Sequence, residues 1–445
     1  MDTFRVISGS IASQNSKLPI DSLEEKLCSD YVTQRGLIFI GGARQGKTNV
    51  ILKVCSDIFN QAKKGDLIVF FDVKGDYSRI FYEDGDLYLS PLENKYLWNI
   101  FEDFKGLPPG NLLEYRVKET IEYLFVGMES EREPFWTNSA KLILYCFIMY
   151  MLMDADIKGD TSTLNHYNLS LLIDGEMEKC RKRNDKDAKD CYDSYREILQ
   201  SNINFRSVAA MLPKKEINAA MGYSIITEIL AMRDKIFVGS FRGKKHMNDQ
   251  VYISPCYLPS NKKGPAVLFL KYNERYHDVC APIFRCFVDM LIASYLEGVG
   301  CRGGKLYLVL DELASLPELR RLGQALELGP QYGIRVIAGL QTVEQMRLNY
   351  SRTPNAANVI LGGFQNTVAF KSDAETVNFL CERFGTALVQ RVYTRAGGGI
   401  GYTEPSVVHS VEAYDLLTLS QGQAVVALEG EKPFILQFPL YKVEG

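Results

Sequence analysis

A glycine-rich turn between an apolar run and a helical pattern constrains the fold of this chain more than any other feature. The apolar run LIFIG occupies residues 37–41, and Gly41, Gly46, Lys47 and Thr48 match the pattern GxxxxGK[ST] without gaps. A strand before this pattern and a helix after it are the context that confirms a phosphate-binding loop. Its glycines let backbone N–H groups curl around a phosphate, and the helix N-terminus adds a favourable dipole. The sequence therefore predicts a bound nucleoside triphosphate.

The residues of this loop have predicted tasks. Lys47 is expected to reach the β- and γ-phosphate oxygens, and Thr48 to bind Mg²⁺ through its hydroxyl. ATP and Mg²⁺ are the expected cofactors. The predicted nucleotide-binding residues are Gly41, Gly42, Ala43, Arg44, Gln45, Gly46, Lys47, Thr48 and Asn49.

An acidic pair after a second apolar run supplies the other half of such a site. In LYLVLDEL, Asp311 follows a nearly continuous apolar stretch and Glu312 comes next. Asp311 is expected to hold Mg²⁺ through water, and Glu312 to polarise the attacking water. A third run, IRVIAGLQ, ends in Gln341. A glutamine at a strand end either serves solubility or, as in motor ATPases with a RecA-like sheet, contacts the γ-phosphate and relays its loss. Lys47, Glu312 and Gln341 are the predicted catalytic residues, and we expect adjoining central strands to bring the loop and the acidic pair side by side.

Short apolar runs alternate with longer helical patterns, which is typical of a parallel sheet with crossover helices. The tail predicts a hairpin that turns at EGEK, residues 429–432, and the glycine-rich stretch 395–402 predicts a loop. Strands are predicted at 37–41, 66–72, 266–270, 305–312, 334–341 and 366–371, and helices at 46–63, 278–296, 317–328, 342–349 and 374–384.

Between about residues 107 and 237 no strand pattern is convincing, and the stretch is charged and helix-prone. The predicted fold is therefore α/β, with a central, mostly parallel sheet flanked by helices and an all-helical insertion. Residues 1–106 and 238–445 form the predicted nucleotide-binding domain, and residues 107–237 form the insertion.

Composition excludes several classes of protein. With a formal net charge of −3 over 445 residues, any contact with nucleic acid depends on local basic patches rather than a global positive field. The ten cysteines include no CxxC pair and the four histidines lack ligand spacing, so neither a disulfide framework nor a zinc site is predicted. The apolar run at 142–153 is shorter than the roughly 20 residues that cross a bilayer. We expect a cytoplasmic chain without a membrane span, which associates with a membrane through a partner.

Local basic clusters are the candidates for DNA contact. The stretch RGKK contains Arg242, Lys244 and Lys245 with no acidic immediate neighbour, so that a DNA-binding loop and a plain solvated loop are equally good interpretations. The cluster at 179–189 mixes basic residues with aspartates, which favours a solvated helix face over a DNA contact.

Several segments together resemble one family. VLDELASLPELRRLGQALELGPQYGIRVIAGLQTVEQM resembles the region around the acidic motif in the TraG/TraD-like coupling proteins of conjugation and type IV secretion. FFDVKGDY is similar to their D-x-K-G-[DE] segment, with Asp72, Lys74, Gly75 and Asp76 in the matching positions. EPFWTNSAKLIL and AYDLLTLSQGQAVVAL are similar to their Phe-Trp stretch and C-terminal strand. From the residues alone, Asp72 and Asp76 either assist metal or nucleotide geometry or cap the turn after the strand.

The resemblance implies a RecA-like P-loop ATPase that works as a ring, a hexamer. Such a protein recruits a relaxase or another secreted substrate and drives DNA toward the components of a type IV secretion channel. Members usually carry an N-terminal membrane anchor, and we expect none in this chain. Members also show an arginine that is proposed to reach the neighbouring subunit. Pro330 stands in that place, and the candidates to replace the arginine are Arg320, Arg321 and Arg335.

Three functions remain open on the sequence alone. The first is a DNA-translocating motor ATPase of the conjugative coupling type. The second is a nucleotide-dependent substrate receptor or assembly factor with little translocation, and the third is a RecA-like DNA pump outside secretion. Glu312 favours hydrolysis over simple binding, whereas Pro330 in place of the arginine favours the receptor.

Overall fold

The structure, a computed structural model, describes most of the chain in two compact units. The first unit takes in the described residues of 1–86, 261–269 and 302–445, and the second those of 87–260 and 270–301. Within 390–403 the backbone alone is described. The described residues are 26–27, 29–93, 95–128, 133–175, 191–243, 251–256, 258, 263–271, 274–298, 303–351, 355–395 and 399–441.

The strands and helices are named in chain order. The strands are β1 (Leu37–Ile40), β2 (Leu67–Phe71), β3 (Leu87–Leu89), β4 (Tyr96–Trp98), β5 (Val251–Ile253), β6 (Ala266–Leu270), β7 (Leu306–Leu310), β8 (Ile334–Leu340), β9 (Asn366–Phe370), β10 (Thr386–Arg395), β11 (Gly399–His409), β12 (Gln423–Ala427) and β13 (Phe434–Gln437). The α-helices are α1 (Asp30–Thr33), α2 (Lys47–Gln61), α3 (Asp76–Phe81), α4 (Asn111–Leu124), α5 (Pro134–Lys158), α6 (His166–Ile173), α7 (Cys191–Ser201), α8 (Arg206–Ala209), α9 (Lys215–Ile236), α10 (His277–Leu296), α11 (Leu322–Glu327), α12 (Val343–Asn349), α13 (Ala356–Gly363), α14 (Ala374–Arg383) and α15 (Ala413–Leu417).

Eight strands of the nine-stranded sheet lie in the first unit, in the order β13, β12, β9, β1, β8, β7, β2, β6. β1 runs parallel to β8 and β9, and β7 runs parallel to β8 and β2. β12 pairs antiparallel with β9 and with β13, which confirms the predicted hairpin in the tail. The predicted mostly parallel sheet is therefore confirmed.

The expectation that the strands of the loop and of the acidic pair adjoin is wrong. β8 lies between β1 and β7, so that Ile337 of β8 is opposite both Leu37 of β1 and Val309 of β7. Strand order follows the path of the crossover connections, which the local apolar pattern does not record. As a result Gln341, which follows β8, lies between the phosphate-binding loop after β1 and the acidic pair after β7.

Burial explains why the central strands could be recognised. Every residue of β1, β2, β6, β7, β8 and β9 is buried. Parallel strands covered on both faces need apolar residues at every position, which produces continuous apolar runs. The loops that follow β1, β2, β7 and β8 leave from the same edge of the sheet because these strands are parallel, and that edge is where α/β folds bind ligands.

Helices form most of the second unit. α5 begins with Pro134 in its first turn and ends at Gly159, which caps it in the left-handed region with φ of 64°. α5 packs against α4 and α9. Between 107 and 237 the described residues contain no strand, and this unit is larger than the predicted insertion, whose bounds stay a prediction.

One stretch of the described residues, Glu274–Leu296, is long and apolar enough to cross a membrane by length and composition. In its most apolar window 89% of the residues are buried inside the fold. The core helix of a soluble protein passes the same test, so this stretch is weak evidence for a membrane span.

The hairpin of β10 and β11 was not predicted. The two strands pair antiparallel with each other and form a separate two-stranded sheet. The loop predicted at 395–402 is wrong at 395 and 399–402, which are strand, whereas 396–398 lie outside the described residues. Leu388 and Val407 pair across the hairpin and are both exposed, so these strands lack the continuous burial that made the central strands readable.

Candidate nucleotide-binding site

The loop after β1 folds over its own lysine. Nζ of Lys47 donates to the carbonyl oxygens of Gly41 and Gly42, the latter at 3.0 Å. Lys47 is 8% exposed. Burial lowers the pKa of its ammonium group, and the carboxylates of Glu312 and Asp311 oppose that shift. An ammonium held by neutral carbonyl oxygens can exchange them for phosphate oxygens, which bind it more strongly.

Backbone geometry shapes the loop for an anion. Gly46 precedes α2 with φ of 114°, and Arg44 has φ of 62°, a conformation uncommon outside glycine. Left-handed residues in such a turn direct successive N–H groups into one concavity. Gly41 is required for a different reason, because an added Cβ would lie 2.6 Å from Cβ of Phe370 on β9. The first glycine of the motif is thus also demanded by packing.

Thr48 and Asp311 meet across a sequence separation of 263 residues. Oγ1 of Thr48 donates to Oδ2 of Asp311 at 3.1 Å. Burial raises the pKa of Asp311, and the hydrogen bond from Thr48 opposes that shift. Gly339 of β8 makes room for this meeting, because a Cβ there would lie 2.0 Å from the carbonyl oxygen of Asp311. A hydroxyl and a carboxylate this close are oxygen ligands of the kind that Mg²⁺ prefers.

Glu312 is held by residues that follow two other strands. Nε2 of Gln341, after β8, donates to Oε2 of Glu312 at 2.6 Å. Nζ of Lys74, after β2, lies 4.0 Å from the same oxygen. Burial raises the pKa of Glu312, whereas the hydrogen bond from Gln341 and the charge of Lys74 lower it. The structure therefore gathers Lys47, Glu312 and Gln341, the predicted catalytic residues, at one edge of the sheet.

The loop after β2 is clamped by Asp72. Its carboxylate accepts from the backbone N–H groups of Tyr77 at 3.3 Å and Ser78 at 2.8 Å, in the first turn of α3. Asp76 instead pairs with the exposed Arg79 at 2.9 Å. Of the two interpretations of Asp72, the structure shows capping. Lys74 was not among the predicted site residues, although its position just after a predicted strand was an available signal.

Asn49 turns its side chain away from the loop. Nδ2 of Asn49 donates to the carbonyl oxygen of Pro439 at 2.8 Å, and its Oδ1 accepts from the N–H of Tyr441 at 3.0 Å. The side chain predicted to bind nucleotide is therefore engaged by the end of the chain, and its backbone alone remains for that task.

Arg335 on β8 does not replace the family's arginine, whose place Pro330 takes. Arg335 is 4% exposed, and its Nε donates to Oδ1 of Asp30 at 2.9 Å. Arg335 is thus bound within the fold of its own chain and cannot extend to a neighbouring subunit. Arg321 is half-buried and donates to the side chain of Gln324 at 2.6 Å, whereas Arg320 is exposed.

Of the predicted DNA-contacting residues, the structure describes Arg242. Its side chain is 59% exposed, and Nη2 lies 3.9 Å from Oδ2 of Asp174. The acidic partner that RGKK lacks in the sequence therefore comes from a distant position. Lys244, Lys245 and the cluster at 179–189 lie outside the described residues.

Fold and site together define a class. A phosphate-binding loop follows one parallel strand, a magnesium-type carboxylate follows the second strand along, and a glutamine follows the strand between them. This arrangement is that of the P-loop NTPases with a RecA-like sheet. A family model described as the type IV secretion-system coupling protein DNA-binding domain matches residues 28–216 and 248–444. The chain belongs to this family of coupling proteins, which confirms the resemblance seen in the sequence.

Solved structures agree with this fold. The bacterial conjugative coupling protein TrwBdeltaN70 in its unbound monoclinic form matches with a TM-score of 0.69 and 18% identity, over 92% of this chain and 86% of that one. Plasmid coupling protein TrwB in complex with ADP and Mg²⁺ matches with 0.66 and 18%, over 92% and 86%. VirB4 of Thermoanaerobacter pseudethanolicus matches with 0.52 and 10%, over 92% and 89%. A comparison with curated protein sequences found no match.

Proposed function

We propose that the chain is an ATP-hydrolysing coupling protein that recruits a nucleoprotein substrate and drives DNA toward a type IV secretion channel. The observation that carries this proposal is the pairing of Thr48 with Asp311 and of Gln341 with Glu312 at one edge of the sheet. The TrwB fold has been solved with ADP and Mg²⁺ and with the ATP analogue ADPNP, which supports the choice of ligand.

The residues present fit ATP and Mg²⁺. The loop offers N–H groups and the ammonium of Lys47 to phosphate oxygens. The hydroxyl of Thr48 would hold Mg²⁺ directly and the carboxylate of Asp311 through water. When bound, Mg²⁺ neutralises charge on the β- and γ-phosphates.

Glu312 is placed to accept the proton of the attacking water. Burial raises its pKa, and the hydrogen bond from Gln341 and the charge of Lys74 oppose that shift. Gln341 binds Glu312 through its side-chain amide, and its backbone carbonyl accepts from Oγ of Ser372, after β9, at 3.3 Å. Loss of the γ-phosphate can therefore be passed from Gln341 to the residues that follow β9, the strand on the far side of β1.

DNA contact is assigned to local basic loops, with Arg242, Lys244 and Lys245 as the first candidates, because each phosphate they neutralise releases counterions. The family description names a DNA-binding domain, which supports this assignment. We further propose a ring, a hexamer, in the cytoplasm, which meets a relaxase or another secreted substrate and contacts channel components through a membrane-associated partner.

A receptor with little translocation is the second candidate function. Pro330 stands where the family shows its arginine, and Arg335 is committed to Asp30 within the same chain. A site without a charge donated by its neighbour would bind nucleotide for assembly and turn it over slowly.

Turnover of ATP with and without DNA separates these functions. The variants are Lys47→Ala and Glu312→Gln, with Lys63→Ala, an exposed lysine just after α2, as the matched control. We expect turnover to rise with DNA and to fall at least about 100-fold in both site variants, while Lys63→Ala behaves as wild type. Glu312→Gln should still bind ATP, because it removes the proton acceptor and leaves the phosphate contacts in place.

Other results would point elsewhere. Nucleotide binding without turnover in the wild type would favour the receptor. Turnover that DNA does not raise would contradict the motor. A loss of the folded circular-dichroism signal in Lys47→Ala would show that this lysine serves the fold rather than the ligand.

A further inference from the structure

The end of the chain touches the phosphate-binding loop from outside. Two stretches do so: the C-terminal turn, Ser420–Gln423, which leads into β12, and the C-terminal segment, Gln437–Tyr441, which leaves β13. Both belong to the same compact unit as the loop. Gln421 contacts Arg44 across a separation of 377 residues, so this contact is a product of tertiary structure.

The C-terminal turn binds two carbonyl oxygens of the loop. Nε2 of Gln421 donates to the carbonyl of Arg44 at 3.1 Å, and the N–H of Gly422 donates to the carbonyl of Gln45 at 3.0 Å. In a trans peptide group the C=O and the N–H point in opposite directions. Carbonyls drawn outward to the turn therefore direct the N–H groups of Gln45 and Gly46 inward, where a phosphate is expected.

The loop needs this support because its backbone is unusual. Arg44 and Gly46 both have positive φ, and a non-glycine residue keeps such a conformation only where its surroundings hold it. The turn also lies directly against the loop, since a Cβ on Gly46 would be 3.4 Å from Cα of Gly422.

The C-terminal segment holds the turn in place. The N–H of Phe438 donates to the carbonyl of Gly422 at 2.9 Å, and Nε2 of Gln437 donates to the carbonyl of Gln421 at 3.3 Å. Asn49, in the first turn of α2, then binds this segment through both atoms of its amide. The C-terminal turn therefore contacts the loop itself, and the C-terminal segment contacts the start of the helix that follows the loop.

We propose that the C-terminal turn and the C-terminal segment position the phosphate cradle, by turning the N–H groups of Gln45 and Gly46 toward the phosphates before nucleotide arrives. Gln421 and Asn49 are the positioning residues. This inference rests on the proposed nucleotide site, and it adds that affinity for phosphate depends on residues at the far end of the chain.

Binding of pyrophosphate, ADP and ATP to the full chain tests this role. The variants are Gln421→Ala and Asn49→Ala, and the control is Gln331→Ala, an exposed glutamine before β8. Gln421→Ala removes one hydrogen bond and should weaken the binding of all three ligands, pyrophosphate included, by about fivefold. Asn49→Ala removes two hydrogen bonds and should weaken their binding by at least as much. In Gln421→Ala the KM for ATP should rise while kcat stays within about twofold. Gln331→Ala should bind as wild type.

The outcomes separate this inference from the proposed function. Unchanged pyrophosphate affinity in both variants, beside a wild type that hydrolyses ATP, would overturn the inference and leave the function standing. A fall in kcat without weaker pyrophosphate binding would also overturn it, because the residues would then act on the chemical step. A wild type that binds neither pyrophosphate nor nucleotide would overturn both. Asn49→Ala provides the test if Gln421→Ala does not fold.

Discussion

His166 gives the second unit a pH dependence of definite sign. Its Nε2 accepts from the N–H of Ile100 at 3.0 Å, and its Nδ1 faces the carbonyl of Phe241 at 2.9 Å. Burial lowers the pKa of His166 from 6.5 to about 4, and the hydrogen bond to Phe241 opposes that shift. Protonation would in addition leave the buried N–H of Ile100 without its acceptor.

Between pH 6.5 and about 4 the unfolded chain carries a proton on this imidazole and the folded chain does not. The contribution of His166 to stability is therefore complete above pH 6.5 and is lost as the pH falls through that window. At 1.36 kcal/mol per pKa unit, the loss reaches about 3 kcal/mol near pH 4. Asp103 acts in the opposite sense, because burial raises its pKa to about 6 and its contribution is lost as the pH rises from 3.8 to 6.

Because the two groups act in opposite directions, the free energies of unfolding of wild type and a His166 variant must be compared at each pH. We expect His166→Gln, whose side chain does not titrate, to have a lower free energy of unfolding than wild type at pH 7. By pH 4 this difference should be smaller by about 3 kcal/mol, because only the wild type loses the contribution of His166. Urea unfolding followed by the fluorescence of Trp98 reports on this site, because its ring centroid lies 5.6 Å from that of His166. Trp136→Phe in both proteins removes the other tryptophan of the sequence. A difference that stays constant from pH 7 to 4 would refute the reasoning.

Two further predictions concern the nucleotide site. Lys74→Gln removes a charge that lowers the pKa of Glu312, so we expect the acid limb of the pH profile of kcat to move to higher pH. The control variant Arg79→Gln, at an exposed arginine paired with Asp76, should leave the limb in place. Superimposable profiles for wild type and Lys74→Gln would contradict this prediction. Gly339→Ala forces a Cβ against the carbonyl of Asp311, so we expect about 1–3 kcal/mol of destabilisation in thermal unfolding and a higher Mg²⁺ requirement for turnover. Wild-type values of both quantities would show that β7 and β8 can separate without cost.

The phosphate-binding loop was predictable because its groups are consecutive in the chain. The motif Gly41–Thr48 can be recognised from residues that follow one another in the chain, with a glycine at position 46, where φ is positive, and a helix that starts at Lys47. The central strands were predictable for a related reason, because burial on both faces demands an apolar residue at every position of β1 or β7. The residues after these strands, Asp311 and Gln341, followed from the same patterns.

The rest of the site depends on contacts between distant segments. The sequence did not show that β8 separates β1 from β7, nor that Asn49 would be bound by the end of the chain. It offered Arg335 as a candidate for the missing arginine, whereas the structure buries Arg335 and pairs it with Asp30. It also missed the β10–β11 hairpin, since strands that pair only with each other carry no continuous apolar run.

The sequence by itself therefore supplied the candidate groups of the nucleotide site: a lysine for phosphate, a carboxylate for Mg²⁺ and a candidate base. Only the tertiary structure decided which side chains meet, so that Gln341 and Lys74 converge on Glu312 and the C-terminal turn supports the loop. The physical reason is that the local sequence pattern records whether a side chain is buried, whereas the partner of that side chain depends on the spatial order of the strands in the sheet.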